Sequence, residues 1–317
     1  MKFYLLMLIV ACFFGTSSQA LALTISPTKI EVAGDPGQTI IGEIELLNEE
    51  SEAKIFYTSA ENFEPRGETG SPYFVGGGSG LASWVSTTDS VTMLPGESVT
   101  VPYTVVIPST AEPGGYFAAI FFGSQPAQDS SSGAEVSIGG KVGSLLLLRV
   151  NGEVSESGGL LEFKSVDERL IFTGVPVPLS YRFNNTGGDR VIPRGEIIIT
   201  NTFGRKVAIL AANENQGSVL PNSTRRFDVV WTDPLFSDES PASFFGAAKY
   251  QLENFHLGLY TADLSLVWGE SAQVGNAKVT MVLIPWQLLT IVLGGLVIFI
   301  FLLKFYNRMI IARARKE

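Results

Sequence analysis

From Met281 to Leu303 the chain reads MVLIPWQLLTIVLGGLVIFIFLL, without a single charged residue. At a helical rise of about 1.5 Å per residue, such a run crosses the hydrocarbon layer of a bilayer, about 30 Å thick. We therefore expect a transmembrane helix over 282–304 and a basic tail over 305–317. Lys304, Arg308, Arg313, Arg315 and Lys316 follow the run and hold that end on the cytoplasmic side. Trp286 takes the interfacial aromatic position at the other end, with Lys304 and Arg308 at the inner interface. Everything before the helix is then displayed outside the cell membrane.

Residues 1–22 read as a secretory signal peptide: Lys2, an apolar run from Phe3 to Phe14, and the small-x-small site Ala20-Leu21-Ala22. A lipoprotein signal ending at Cys12 is the weaker reading, because the run before it is short and Phe13-Phe14 follow. Cys12 is the only cysteine, so cleavage after Ala22 leaves a mature chain with no disulfide, thiolate nucleophile or cysteine metal ligand. Asn184-Asn185-Thr186 and Asn222-Ser223-Thr224 match the glycosylation sequon and are read as turns.

Between these two segments, Leu23 to Val282 carries 16 basic and 30 acidic residues. The first half, to Ser157, holds 5 basic and 17 acidic, and the remainder 11 and 13. So acidic a surface repels a phosphate backbone and excludes nucleic acid as a partner. It gives solubility, with attraction to a basic partner or divalent cations as the sharper alternative.

Strand follows strand. Ser98–Val105 and Thr39–Leu46 alternate apolar with small or polar residues, the period of a half-buried strand. Further strands are expected at Ile25–Val32, Lys54–Ala60, Tyr116–Gly123, Lys141–Val150 and Gly195–Thr200. The order of elements repeats. Leu94-Pro95-Gly96-Glu97-Ser98 and Leu220-Pro221-Asn222-Ser223-Thr224 each open a strand, ending at Pro108 and Pro234. Upstream, each copy ends a strand in an Asn turn, Asn48-Glu49 and Asn184-Asn185. Downstream, Gly115-Tyr116 and Gly258-Leu259-Tyr260 open another. The fold class is all-β: two tandem immunoglobulin-like β-sandwich domains, over 23–152 and 158–281, followed by one transmembrane α-helix. The boundary lies near Asn151–Gly159.

The copies differ in two places. Ser124–Gly133 reads as a hairpin tip in the first. In the second, a longer insert over 235–257 contains Leu235, Phe236, Phe244, Phe245, Phe255 and the only histidine, His256. Phe244, Phe245 and Phe255 are candidates for an apolar recognition loop beside the membrane. The preferred alternative is an extra strand or short helix packed on its own sandwich.

Catalytic chemistry finds little to work with. One His and no mature Cys leave a single candidate base, and His256 beside Phe255 reads as a packed imidazole. No catalytic residue, metal ligand set or cofactor is assigned. A carboxylate pair of the glycosidase kind is spatial and stays open. Gly76-Gly77-Gly78-Ser79-Gly80 lacks the Lys and helix of a phosphate-binding loop and reads as a flexible loop. Around it Tyr73, Phe74 and Trp84 are candidate ligand-binding aromatics, with core packing as the competing reading.

Ser83-Trp84-Val85, Val91-Thr92-Met93-Leu94-Pro95-Gly96-Glu97-Ser98, Ile107-Pro108 and Pro113-Gly114-Gly115-Tyr116 together resemble the first domain of WxL-interacting proteins, surface proteins of Gram-positive bacteria. Ile284-Pro285-Trp286 at the start of the helix is similar to theirs. The resemblance implies a peptidoglycan-binding first domain and a second domain that engages WxL proteins or host ligands. The expected function is that of a single-pass, non-enzymatic cell-surface protein. Its partners are cell-wall polymer or another surface protein, together with membrane lipid through the helix. The alternative is a structural or assembly subunit of an envelope complex, whose sheet edges add strands to partners; a carboxylate hydrolase is a third reading.

Overall fold

The computed structural model describes residues 23–126, 140–232 and 243–314. The signal segment with Cys12, most of the Ser124–Gly133 tip, Leu235, Phe236, Arg315 and Lys316 lie outside the described residues. Two compact units result: Met1–Pro65 with Pro72–Ser155, and Arg66–Ser71 with Glu156–Glu317.

The first unit is a sandwich of two sheets. Strands β1 (Leu23–Ser26), β3 (Thr39–Asn48), β8 (Ser98–Val106) and β6 (Val85–Thr87) form one, in the order β1-β3-β8-β6. The other runs β2 (Lys29–Gly34), β10 (Lys141–Val150), β9 (Gly114–Gly123), β4 (Lys54–Pro65), β5 (Pro72–Gly76), with β7 (Ser90–Met93) also on β4. Alternation sends Val101, Tyr103 and Val105 of β8 into the core, where they meet Phe56, Ile120, Phe122 and Leu146. The expected strand Ile25–Val32 is in fact two. Pro27 has no N–H for a ladder, and the chain leaves one sheet there and enters the other as β2, parallel to β10.

The second unit repeats this plan. β11 (Gly158–Ser165), β13 (Val177–Asn185) and β16 (Ser223–Trp231) form one sheet. β12 (Ile171–Phe172), β18 (Gln273–Leu283), β17 (Gly258–Trp268), β14 (Arg194–Asn201) and β15 (Lys206–Ala211) form the other, in that order. Strand for strand this matches β1-β3-β8 and β2-β10-β9-β4-β5, down to the parallel pair, β12 on β18. The core is separate and richer in aromatics. Tyr181 stacks on Phe227 at 4.8 Å, Phe183 meets the edge of Trp268 at 5.0 Å, and Trp231 is fully buried. Burial pushes the Tyr181 phenol well above its ordinary range, so it stays protonated and donates to the Ala212 carbonyl at 3.1 Å.

The asparagine turns have a physical role that the repeat alone does not disclose. Asn48 is completely buried at the end of β3, and its amide donates to the carbonyls of Glu52 (3.1 Å) and Leu94 (3.0 Å). Its Oδ1 accepts from the Glu50 N–H at 3.1 Å. Asn185, completely buried at the end of β13, donates to Asp189 O (2.7 Å) and Val219 O (2.9 Å) and accepts from Gly187 N–H (2.9 Å). Each side chain thus ties a strand end to the segment just before Pro95 or Pro221, setting the register of the strand that follows. The buried group that needs these partners is the asparagine amide itself.

One segment departs from expectation, while the insert takes the preferred form of a short helix. β18 pairs with β17 through Leu283, and Met281 and Leu283 are fully buried in the second core. The helix therefore begins not at 282 but after Pro285: α2 spans Trp286–Ala314, past Lys304 and Arg308. Proline suits a helix start because the first N–H groups there have no intrahelical partner. Trp286–Ile311 is long and apolar enough to cross a membrane, with a mean hydropathy of 2.6 and no part of that window buried. The insert forms a helix, α1 (Phe244–Glu253), capped by Ser243 Oγ accepting from Gly246 N–H at 3.0 Å.

Asn48→Ala and Asn185→Ala each remove the hydrogen bonds made by a completely buried side-chain amide, so each should destabilise its own sandwich by about 1–3 kcal/mol. Asn184→Ala, one position from the second clamp, serves as the milder comparison. Denaturant unfolding of the soluble region checks this, with loss of both effects expected only if the amides are not the clamps.

Candidate functional site

The three aromatics grouped by sequence around the glycine loop are not brought together. Trp84 packs on Tyr116, ring centroids 4.6 Å apart, against the first core. Phe74 belongs to a cluster on the other face of the six-stranded sheet. It meets Phe121 edge-on at 4.8 Å and Phe63 at 6.2 Å, and Phe63 reaches Phe117 at 5.8 Å. Lys141 Nζ lies 4.1 Å over the Phe121 ring and pairs with Glu61. Phe63 and Phe121 are buried, Phe74 and Trp84 are partly buried, and only Tyr73, 46% exposed, is largely open to solvent. Sequence reasoning missed Phe63, Phe117 and Phe121. The signal was present: Tyr116 to Phe122 is continuously apolar, the pattern of a strand covered on both faces. The glycine loop is tied down by Asn62, which donates to Gly76 O and Ser79 O and accepts from Ala82 N–H at 2.9 Å.

The second unit carries an open groove. β15 and β16 are the last strands of their sheets, and among the described residues no further strand pairs with either outer edge. Between them lies a groove of about 450 Å³, lined among others by Ile209, Ala211, Asn213, Phe227, Val229 and Val230. Ile209 is 59% exposed, although its neighbours Ala208 and Leu210 face the core. On β16 the Arg226 N–H points away from β13 and donates to the Glu68 carbonyl at 2.8 Å, from the Arg66–Ser71 segment counted with this unit. Arg182 also donates to the Glu68 carboxylate, which holds that carboxyl below its usual range. By the two-residue alternation of an antiparallel strand, Asp228 and Val230 direct their N–H and C=O to the same open side.

A third feature surrounds the start of α2. Gln251 of α1, only 5% exposed, uses both ends of its amide there. Its Oε1 accepts from the Leu288 N–H at 3.0 Å, one of the N–H groups left over at the beginning of α2, and its Nε2 donates to Gln287 Oε1. The Phe244 ring meets Trp286 at 5.6 Å. The insert is therefore a helix fastened to the start of α2, with Phe245 and Phe255 left exposed. His256 sits edge-on to Trp231 at 5.2 Å, its Nδ1 3.3 Å from the Tyr260 hydroxyl, inside an aromatic stack. Among the described residues, no group of three or more His, Cys, Asp or Glu side chains is placed to hold a metal ion.

No family model matches the sequence, and no curated protein matches it. Solved structures with some likeness include the class 5 fimbriae chaperone CfaA, 12% identical, TM-score 0.38, covering 83% of this chain and 99% of that one. The E. coli chaperone DraB is 8% identical with a TM-score of 0.37, covering 83% and 97%. Salmonella enterica SafA pilin in complex with the SafB chaperone gives 8%, 0.37, and 84% and 99%. Scores this low assign no function to the chain.

Gln251 is the polar link between α1 and α2, so Gln251→Leu should free α1 while leaving both sandwiches folded. Losing hydrogen bonds worth about 1–2 kcal/mol predicts roughly tenfold faster amide exchange across Phe244–Glu253. Exchange unchanged in that helix would show that its apolar contacts alone hold it.

Proposed function

We propose that this protein is a single-pass, membrane-anchored and non-enzymatic assembly or adhesion factor whose second sandwich takes up an extended segment of another envelope protein. The observation that carries the reading is the groove between β15 and β16. A strand added at β16 finds outward N–H and C=O groups at Asp228 and Val230 and apolar contact at Ile209 and Val230. Main-chain bonds supply affinity in such an arrangement and alternate side chains supply specificity. Natural proteins usually blunt exposed edges with charge or proline, and the pair Arg226–Asp228 supplies only part of that here.

The assembly reading is favoured over recognition of cell-wall polymer. A sugar chain wants exposed aromatic faces, whereas Phe74 and Trp84 are turned to different faces of one sheet and only Tyr73 is largely open. The sequence resemblance to WxL-interacting proteins fits a protein partner, a surface protein with Trp-x-Leu motifs. The acidic first domain, the outward orientation and the cytoplasmic tail belong to the same proposal.

A photo-crosslinking residue at Ile209 in intact membranes should capture one envelope protein in stoichiometric yield. Val230→Pro removes an N–H that no internal ladder uses, so it should abolish the adduct while leaving the melting temperature within about 3 °C. An adduct that persists in the proline variant, or none at all with the folded protein, overturns the reading.

A further inference from the structure

We propose that the end of the second sandwich from which α2 departs is itself a lipid-binding surface, seated in the headgroup and upper acyl layer of the bilayer that α2 crosses. The inference rests on α2 being a membrane span, as proposed above.

Strand register defines that end. β18 leaves for α2 after Leu283, which lies opposite Gly258 at the start of β17. Tyr260 in turn faces Asn201, the last residue of β14, and β12 pairs with Val282 and Leu283. The β14–β15 turn, β12, and the link from α1 into β17 therefore share one end with the start of α2. These segments carry large apolar side chains that the protein leaves uncovered. Phe203 at the tip of the β14–β15 turn is 91% exposed, Phe245 of α1 is 75% exposed, and Ile171 of β12 is 65% exposed. Leu170, Leu252 and Phe255 are exposed beside them.

Phe203 is held in this position by local structure. Asn201 Oδ1 accepts from the N–H groups of Phe203 and Arg205, both at 3.0 Å, and Gly204 supplies the left-handed φ of 74° that closes the turn. A turn could carry any polar residue at its tip at lower cost in water. A single exposed phenylalanine calls for no explanation, but a group of them at one end of a domain marks an interaction surface.

Continuity identifies the occupant. The surface adjoins α2, whose apolar window has none of its residues covered by protein, and α1 is fastened to the first turn of α2 through Gln251 and Phe244. A bilayer that receives α2 must lie within a few residues' reach of Phe203 and Phe245. Arg205 and Lys206, exposed after the turn, suit anionic headgroups.

The test uses the full chain with Cys12→Ser, reconstituted in vesicles of phosphatidylcholine and phosphatidylglycerol. An environment-sensitive dye is attached in turn to Phe203→Cys, Phe245→Cys and, at the opposite end of the same sandwich and outside the groove, the exposed Gly188→Cys. The first two should show blue-shifted emission that is lost on adding lipids with a quencher in the upper acyl chain, and the third should show neither. Equal water exposure at all three sites in carbonate-resistant, integrated protein overturns this inference alone. Protein that carbonate extracts from the vesicles overturns the membrane span and this inference together. A blue shift that grows with protein density at a fixed lipid amount overturns it in favour of a second copy of the chain.

Discussion

The second core and the apolar helix α2 are joined by only Ile284 and Pro285, and the geometry of the second unit depends on that junction. Met281 and Leu283 are fully buried in the second core and cannot leave it without opening a cavity, at a cost of several kcal/mol. Pro285 cannot continue the strand ladder, and it is well placed to precede a helix. With no slack between them, the direction of β18 sets the direction of α2. The Ile284 N–H is still bonded to the Phe172 carbonyl at 2.8 Å, so sheet order continues to the last residue before the proline. Gln251 then supplies an acceptor on the far side of the break, so the junction is braced from α1 as well.

That constraint divides the labour within the second unit. The end near α2 gathers exposed rings, while the groove between β15 and β16 opens along the side of the sandwich. β15 runs away from the junction and β16 back toward it, so an added strand would lie along the sandwich rather than across its base. Among the described residues the side face offers strand edges with which no further strand pairs, the kind of surface proposed to take an extended peptide, and the base offers exposed apolar side chains, the kind that suits lipid.

Much of this was legible in the residues, and the failures have physical causes. The repeat was readable because both copies need a polar residue at a strand end and a proline before the next strand. Which of Asn184 and Asn185 is the clamp was not, because either can end a strand and only packing buries one of them. Pro27 marked the break between β1 and β2, yet the flanking apolar residues suited one long strand. The uncharged run favours a helix from 282, since apolar residues of a buried strand and of a membrane span are alike in composition; Pro285 is the signal that separates Val282–Ile284 from the helix. Phe74 and Trp84 are near in sequence but lie on opposite faces of the six-stranded sheet, a relation that spacing across a loop does not encode. Phe203 lay in the turn Asn-Thr-Phe-Gly-Arg, where a large ring in a polar setting was the missed hint.

Hydrogen exchange of the whole chain in lipid nanodiscs, compared with a chain ended at Leu283 in solution, tests the central claim most directly. The account predicts added protection confined to Leu170–Phe172, Asn201–Arg205 and Phe244–Leu257, with the outer edge of β16 exchanging alike in both. Identical exchange at those three segments, or protection spread evenly over the sandwich, would contradict it.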